Sequence, residues 1–307
     1  MARICAICTS AKKGTQKSPV DAAELRPDWG IVGDAHAGHW HRQVSLISRE
    51  KIEAFQARGV PVTDGAFGEN LIVDGLDCRS LPVGTRLKIG PALLEVTQIG
   101  KACHDHCAIY QVVGDCIMPR EGIFTKVLEG GTITVNDSVE VLPVDPDSPF
   151  TAAVITLSDR CHAGEREDRS GPEIVRILTE HGYEVVEQLL LPDGLQPLEA
   201  ELIRLADQRQ VNVIFTTGGT GFAARDLTPE ATTAVCDRMA PGISGAILCE
   251  SLKITPHAML SRQVSGIRKQ TLIINLPGSP KACREDLGIV LPALEHGLGI
   301  LRGTADD

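Results

Sequence analysis

Three prolines fall within one short segment near the middle of the chain, LPVDPDSPF at residues 142–150. Proline lacks a backbone N–H and fixes φ, so such a segment neither joins a sheet nor continues a helix, and it stays extended. A length of 307 residues also predicts two domains at ~150 residues each. We therefore expect a first domain at residues 1–143, a linker at 144–150 and a second domain at 151–307.

The first part of the chain consists of short β-like segments separated at close intervals by glycine. This pattern is typical of a mostly β domain, and a barrel is the expected form. The predicted strands cover residues 43–47, 70–73, 85–89, 93–98 and 132–135.

After the linker, apolar strand-like runs alternate with helical patterns. The run TAAVITL at residues 151–157 predicts a buried strand, and Pro172 suits the first turn of the following helix. Further strands are expected at 183–191, 211–217 and 271–277, and helices at 196–208 and 279–298, the last interrupted at Pro292. Alternating strands and helices predict an α/β domain with a mostly parallel sheet covered by helices on both faces.

Composition excludes several classes of partner. The net charge is −10, neither half is basic, and aromatic residues make up 3% of the chain, so a nucleic-acid polymer is not an expected partner. No apolar run reaches the ~18 residues of a membrane span. The start of the chain lacks the pattern of a secretory signal, so we expect a cytoplasmic protein whose ten cysteines are reduced.

The segment TTGGTGFAARD, at residues 216–226, follows a predicted strand. Ligands of parallel sheets collect where strands end, and glycine lets successive N–H groups face one anion. The hydroxyls of Thr217 and Thr220 would add donors. A plain tight turn is the alternative, but it seldom needs Gly218, Gly219 and Gly221 together with an Arg-Asp pair.

A carboxylate beside an anion site indicates a cation between them. Asp226 follows the glycines, and Asp193 follows another predicted strand in LLLPDG. Mg²⁺ prefers oxygen ligands and often uses one or two carboxylates with substrate phosphates. Asp193 and Asp226 are therefore the candidate metal ligands, although Pro-Asp-Gly is also a common turn signature. The loop NLPGSP, at residues 275–280, is a second candidate anion site because its N–H groups precede a helix.

These motifs, together with SDR at 158–160, DRSGP at 168–172 and residues 259–280, resemble the MogA/MoaB family of molybdopterin-binding proteins over nearly all of residues 151–307. The resemblance implies adenylylation of molybdopterin with Mg-ATP as donor and pyrophosphate as leaving group. It assigns Asp193 and Asp226 to the metal and the reaction, and it implies a homotrimer. The residues expected to contact pterin or nucleotide are Ser158, Asp159, Arg160, Thr217, Gly218, Gly219, Thr220, Gly221, Arg225, Ser261, Arg262, Pro277, Gly278 and Ser279.

An acidic protein that binds two anionic substrates needs a local positive patch. The expected members of that patch are Arg160, Arg225, Arg262, Arg268 and Lys269. For Arg262, a solvated side chain at a helix end is the alternative.

Cysteine and histidine concentrate at residues 98–124 of the first domain. Cys103, His104, His106 and Cys107 suggest a zinc site, but the other close pair, Cys5 and Cys8, lies in a strand-like segment where residues three apart face opposite sides. A thiol beside Lys101 and two histidines would instead have its thiolate favoured, which suggests sulfur chemistry or a soft metal.

The first 143 residues resemble the MOSC domain. The resemblance rests on KKGTQK at 12–17, residues 30–48, GAFGENL at 65–71, LPVGTRLKIG at 81–90 and the cysteine segment. It implies a β-rich domain that binds the molybdenum cofactor or passes sulfur to it through one cysteine, with Cys107 favoured and Cys103 left open. His36, His39 and His41 are further candidates as ligands or anion contacts, and capping of a barrel end is their alternative. Arg42 and Arg120 are candidate phosphate contacts, and Cys116 is a candidate for which simple packing is the alternative.

Both halves thus predict a bifunctional protein of molybdenum cofactor biosynthesis, with a nucleotidyltransferase domain and a MOSC domain. Molybdoenzymes or other proteins of cofactor biosynthesis are its expected partners. A carrier or chaperone that binds the cofactor without turnover is the main alternative, and a zinc-stabilised regulatory module is a third.

Overall fold

The computed structural model of the chain describes residues 1–59, 62–101, 116–142 and 144–305. The chain divides into two compact units, Met1–Asp145 and Pro146–Asp307. Their boundary falls inside the proline-rich segment.

The first unit is built mainly from β-strands. Its strands are β1 (Arg3–Thr9), β2 (Ser18–Val20), β3 (Ala22–Arg26), β4 (Gly30–Ile31), β5 (Val44–Ser48), β6 (Leu71–Asp74), β7 (Arg86–Ile89), β8 (Ala92–Ile99), β9 (Ile123–Glu129), β10 (Gly131–Thr134) and β11 (Val139–Leu142), and its helices are α1 (Arg49–Gln56) and α2 (Met118–Glu121). One sheet has the order β11-β7-β8-β9-β5-β6-β1-β2 and a second has β10-β3-β4. The β-rich prediction is confirmed, and closure into a barrel stays a prediction.

Alternation along the strands builds the core of this unit. In β7, Leu87 and Ile89 are fully buried, whereas Arg86 and Lys88 between them are half-buried. Successive strand side chains point to opposite faces, so the apolar set reaches the core and the charged set reaches solvent.

The second unit has the predicted α/β character. Its strands are β12 (Thr151–Leu157), β13 (Glu184–Leu191), β14 (Val213–Thr217), β15 (Arg238–Met239), β16 (Ser265–Arg268) and β17 (Thr271–Leu276), and its helices are α3 (Asp159–His162), α4 (Ser170–Glu180), α5 (Leu195–Asp207), α6 (Thr228–Val235), α7 (Pro241–Ile254) and α8 (Pro280–Arg302). The sheet order is β13-β12-β14-β17-β16-β15.

The sheet of this unit is mixed. Strands β13, β12, β14 and β17 pair in parallel, whereas β16 and β15 add antiparallel pairs at one edge. The four parallel strands follow the predicted ones, and β12 covers the residues expected. The two edge strands were not predicted, because both are short and β16 contains glycine.

The predicted interruption of the last helix at Pro292 is wrong. Helix α8 continues through this residue to Arg302, and its apolar face is buried both before and after it, at Leu287, Leu291, Leu294 and Leu298. A helical proline forfeits one hydrogen bond and crowds the carbonyl four residues earlier. Burial of the helix face on both sides of an exposed Pro292 outweighs that cost.

Within the described part of the chain, every helix is too short or too polar to cross a lipid bilayer.

Candidate functional site

Four loops of the second unit lie together at the carboxyl-terminal end of the sheet. They do so because β12, β13, β14 and β17 run parallel and each ends there. Backbone hydrogen bonds tie neighbouring loops together. The N–H of Ser158 donates to the carbonyl of Leu191 over 3.0 Å, and the N–H of Gly218 donates to the carbonyl of Leu276 over 3.2 Å. The sheet edge therefore brings the sequence-predicted loops into one site.

The glycine loop after β14 requires glycine at two positions. Gly218 and Gly219 have φ values of 98° and 62°. A Cβ on Gly218 would lie 2.4 Å from the carbonyl oxygen of Leu157, and one on Gly219 would lie 2.4 Å from Oγ1 of Thr228. Thr228 holds the loop, since its hydroxyl donates to the Gly218 carbonyl over 2.9 Å and its N–H to the Gly219 carbonyl over 3.1 Å.

The backbone donors of this loop are left without protein acceptors. Among the described residues, the N–H groups of Gly219, Thr220 and Gly221 donate to no acceptor, and neither do those of Gly278 and Ser279 at the end of β17. Unpaired N–H groups are costly unless water or a ligand satisfies them. These two loops can therefore bind an anion.

Thr217 differs from the expectation that its hydroxyl is free for a ligand. Its side chain is fully buried, and Oγ1 donates to the carbonyl of Pro277 over 2.6 Å. This hydrogen bond joins the loop after β14 to the loop after β17, so Thr217 holds the two loops together and does not contact a ligand through its hydroxyl.

Two predicted carboxylates lie close enough to act on one another. Asp193 and Asp159 exchange hydrogen bonds, with the Asp159 N–H 3.2 Å from Oδ2 of Asp193 and the Asp193 N–H 3.0 Å from Oδ1 of Asp159. Burial, together with the charges of Asp159 and Asp226, raises the pKa of Asp193. The hydrogen bond from the Asp159 N–H and the charge of Arg225, whose Nε lies 3.8 Å from Oδ2, oppose this rise. Asp226 itself accepts from the N–H of Ala223 over 3.0 Å. The site is thus locally rich in negative charge.

This donor set fits a hydrated divalent cation better than a protein-only metal cage. The described residues contain no cluster of three or more His, Cys, Asp or Glu suited to a metal. Mg²⁺ needs fewer protein ligands, since it keeps waters and takes oxygens from substrate phosphates. A cation near Asp193 would also offset the negative charges of Asp159 and Asp226, which add to the effect of burial on its pKa.

Arg262 braces the glycine loop. Its Nε donates to the carbonyl of Gly221 over 2.7 Å, its two terminal nitrogens contact the carbonyl of Asp226 and the carboxylate of Glu230, and its N–H donates to the carbonyl of Thr220 over 2.9 Å. The guanidinium is therefore occupied by protein oxygens.

The predicted positive patch is wrong for two of its members. Arg268 ends β16 and Lys269 follows it in the turn before β17, so both lie at the opposite end of β17 from the glycine loop, and they pair with Asp207 at 2.7 and 3.1 Å. Arg160 and Arg225 remain exposed beside the site.

A cavity of about 290 Å³ adjoins the glycine loop. Thr220, Gly221, Ser261 and Pro277 line one side of it, and α7 and α8 supply much of the rest. Oγ of Ser261 donates to Oε1 of Gln263, which also lines the cavity. The predicted Ser261 therefore lies where a ligand bound to the glycine loop would extend.

Asp168 is a site-forming residue to which the sequence analysis gave no role. Its Oδ1 accepts from the N–H groups of Ser170 and Gly171, both at 3.0 Å, and its Oδ2 accepts from Thr156 Oγ1 at 2.8 Å. Ser170 in turn donates to the carbonyl of Gly278 over 3.0 Å. The signal in the sequence was an Asp two residues before the first helical residue, Ser170.

In the first unit, Cys103, His104, His106 and Cys107 lie outside the described residues. The other histidines have protein partners: His36 Nδ1 is 3.4 Å from Asp34, His39 Nδ1 is 2.8 Å from Asp28, and His41 Nε2 is 2.9 Å from Gln98. Arg42 stacks on the ring of Trp40 at 4.7 Å, the Arg120 carbonyl accepts from Arg79, and Cys116 is buried.

A group of ionisable side chains lies buried in the first unit. Nζ of Lys17 is 3.0 Å from Oδ2 of Asp34, and each side chain is 1% exposed. Glu69 is fully buried, its Oε1 accepts from the N–H of Gly65 over 2.8 Å, and burial raises its pKa to about 7.

Comparison with known proteins adds to this geometry. Residues 153–296 match the family described as a probable molybdopterin binding domain, and residues 33–140 match the MOSC domain. A molybdopterin adenylyltransferase of Helicobacter pylori is 43% identical over 153 residues, which cover 49% of this chain and 87% of that protein.

Two further relatives match the same half. A molybdopterin adenylyltransferase of Escherichia coli K12 is 43% identical over 137 residues, 44% of this chain and 70% of that protein. Gephyrin of Dictyostelium discoideum is 43% identical over 165 residues, which span 50% of this chain and 23% of that longer protein. The chain belongs to the molybdopterin-binding family of MogA and MoaB through residues 153–296, and it carries a MOSC domain at residues 33–140.

Proposed function

We propose that the second unit adenylylates molybdopterin with Mg-ATP, as a nucleotidyltransferase of molybdenum cofactor biosynthesis. The relatives named molybdopterin adenylyltransferase support this proposal. One structural observation carries it: the unpaired N–H groups of Gly219, Thr220 and Gly221 share a sheet edge with Asp193 and Asp226. Backbone donors suit phosphate oxygens, and the carboxylates suit a cation that accompanies them.

The reaction needs positioning and charge compensation from the protein. A terminal phosphate oxygen of molybdopterin bonds to the α-phosphorus of ATP, and the bond from that phosphorus to the oxygen bridging to the β-phosphate breaks, releasing pyrophosphate. The loop amides hold phosphate oxygens, and no side chain becomes covalently bonded. When bound at Asp193 and Asp226, Mg²⁺ supplies compensation of the negative charge on the leaving group.

Release of pyrophosphate from molybdopterin and Mg-ATP tests this function. We expect Asp226→Asn to lower kcat by about 100-fold or more, because a charged ligand of the cation is lost. Asp237→Asn is a matched control, since Asp237 also accepts a backbone N–H, from Lys269 over 2.7 Å, at the far end of the sheet. Equal losses in the two variants would contradict a specific role for Asp226.

A carrier that binds the cofactor without turnover is the alternative for this unit. It predicts tight molybdopterin binding with no pyrophosphate above background, and no effect of Asp226→Asn on release. Assembly is also part of the proposal, because the resemblance implies a homotrimer, which sedimentation of the intact chain would test.

For the first unit, we propose that the MOSC domain binds the molybdenum cofactor or passes sulfur to it through Cys107, with Cys103 as the second candidate. Replacing each cysteine by serine and measuring sulfur incorporation into the cofactor tests this role. Stoichiometric zinc in the purified protein, lost on Cys103→Ser, would favour the zinc-stabilised module instead.

A further inference from the structure

A buried acid lines the cavity beside the glycine loop. Asp286 is 3% exposed and lines the cavity with Ser251, whose Oγ donates to its Oδ1 over 3.1 Å. Among the described residues, Oδ2 of Asp286 has no hydrogen-bond partner. Because Asp286 lines the cavity, this carboxylate oxygen is available to a hydrogen-bond donor of a ligand bound there.

No cationic group among the described residues shifts the pKa of Asp286. Burial raises its pKa to about 6 and the charge of Glu285 adds to that rise, whereas the Ser251 hydroxyl alone opposes it among the described groups. The side chain is thus largely ionised at neutral pH, and it can accept from as many as four N–H or O–H groups.

The walls of the cavity favour a flat and largely apolar ligand. Leu248, Ile254, Ala258, Leu260 and Ala282 line it. Its volume of about 290 Å³ is at the small end for ligand pockets, which suits one heterocyclic ring system. Since Thr220 and Gly221 form part of the same wall, a molecule with an anionic group on the loop amides could place its ring here.

The donor pattern separates the two rings of the proposed reaction. An adenine edge offers one amino donor beside a ring nitrogen acceptor, which would face a carboxylate oxygen unfavourably. A 2-amino-4-oxopyrimidine edge offers an amino group and a ring N–H side by side, and these match the two oxygens of a carboxylate.

We propose that Asp286 is a specificity-determining residue that recognises the 2-amino-4-oxopyrimidine edge of the pterin ring within this cavity. The inference depends on the proposed function for its choice of a pterin substrate. It places the ring of molybdopterin between α7 and α8 and leaves the adenine of ATP elsewhere.

Binding of simple pteridines to the intact chain, followed by their fluorescence without ATP, tests the inference. The probes are pterin and lumazine, which differ because lumazine carries an oxygen in place of the 2-amino group. We expect pterin to bind about tenfold or more tightly than lumazine, because a site built around a donor rejects an analogue that lacks it. Equal affinities, or no binding of pterin, would overturn the proposal.

Asp286→Asn should weaken pterin binding by about tenfold or more and remove the preference over lumazine, because one acceptor becomes a donor. Glu295→Gln, which makes the same charge change at an exposed position further along α8, should change neither affinity. An unchanged thermal unfolding midpoint for Asp286→Asn would show that the variant is folded, and unchanged pterin affinity in that variant would refute the assignment.

Two further measurements separate this inference from the proposed function. Pterin binding that depends on Asp286 without pyrophosphate release would leave the inference standing and remove the adenylylation. Pyrophosphate release together with a pterin selectivity that does not depend on Asp286 would support the adenylylation and overturn the inference. Guanosine carries the same edge and, like pterin, no phosphate, so tighter binding of guanosine than of pterin would reassign the cavity to a guanine base and overturn the pterin assignment.

Discussion

Each unit of the chain contains a glycine with positive φ whose backbone lies in close contact with another segment of the chain. Gly65 in the first unit has φ of 85°, and its Cβ would lie 2.2 Å from the carbonyl oxygen of Lys17. Gly218 in the second unit has φ of 98°, with the corresponding distance to the carbonyl of Leu157 at 2.4 Å. The same backbone geometry thus lets two loops approach their neighbours closely.

The two loops differ in what their N–H groups bind. The N–H of Gly65 donates to the chain's own buried carboxylate, Glu69, and a buried Lys17–Asp34 ion pair belongs to the same unit. The N–H groups of Gly219 to Gly221 find no such acceptor among the described residues. The first loop has its anion built into the chain, whereas the N–H groups of the second are left available to the anionic ligand of the proposed function.

The largest expected effect concerns stability in the first unit. Lys17→Met should lower the free energy of unfolding by ~3–5 kcal/mol, because Asp34 would be left as a buried charge without its partner. Denaturant titration measures this change. Arg3→Met, which breaks the exposed pair with Asp74, should cost less than ~1 kcal/mol. If the two variants lost equally little, the buried charges would not be structural.

The sequence predicted one side of this comparison better than the other. Three glycines, three threonines and an Arg-Asp pair indicated a candidate anion loop directly. Strand β12 was predicted in full because a buried apolar run leaves few alternatives. GAFGENL predicted a turn before a strand, and β6 does begin at Leu71. Nothing local showed that Glu69 is buried, because that depends on which residues the fold brings around it.

The same limit applies to Asp286 and to the positive patch. A single Asp in a helix of mixed composition predicts a side chain in contact with solvent. Asp286 is buried because α7 packs against α8, which the sequence does not show. Arg268 and Lys269 are close to the loop NLPGSP in sequence. In the structure they lie at the other end of β17, because this strand runs between them and the loop.

The second prediction uses pH to test the buried acid. The pKa of Glu69 in the folded chain is about 7, raised by burial, whereas an unfolded Glu titrates near ~4.3. Its contribution to stability is therefore full below ~4.3 and is lost as pH rises through 7, by roughly 3–4 kcal/mol. Glu69→Gln, which resembles the protonated form, should remove most of this slope. An unchanged slope between pH 5 and pH 8 would show that Glu69 is not the titrating group.

The third prediction concerns the glycine loop. Gly218→Ala should destabilise the second unit by ~2 kcal/mol and lower pyrophosphate release by about tenfold, because a Cβ at positive φ meets the Leu157 carbonyl and displaces the loop. Gly182→Ala is the matched control, since its φ is 82° and nothing lies within 4 Å of its Cβ position. Gly182→Ala should lower the free energy of unfolding by ~1 kcal/mol and leave the rate of pyrophosphate release unchanged.

The smallest effect is expected at Arg225, where the comparison between buried and exposed charge is sharpest. Nε of Arg225 lies 3.8 Å from Asp193 Oδ2, and the arginine side chain is 69% exposed. Pairs of this kind are worth up to ~1 kcal/mol, so Arg225→Gln should raise KM for Mg-ATP by about fivefold at most and leave unfolding unchanged.

Steady-state kinetics at two salt concentrations measures this effect, because an exposed pair is screened as ionic strength rises. Arg176→Gln, which breaks exposed pairs with Glu173 and Glu180 on α4, should change neither constant. A loss of about 100-fold in kcat with KM unchanged would instead place the Arg225 guanidinium on the phosphate in the transition state. Arg225 would then contribute to the reaction itself, as the loop amides do, and not only adjust the charge around Asp193.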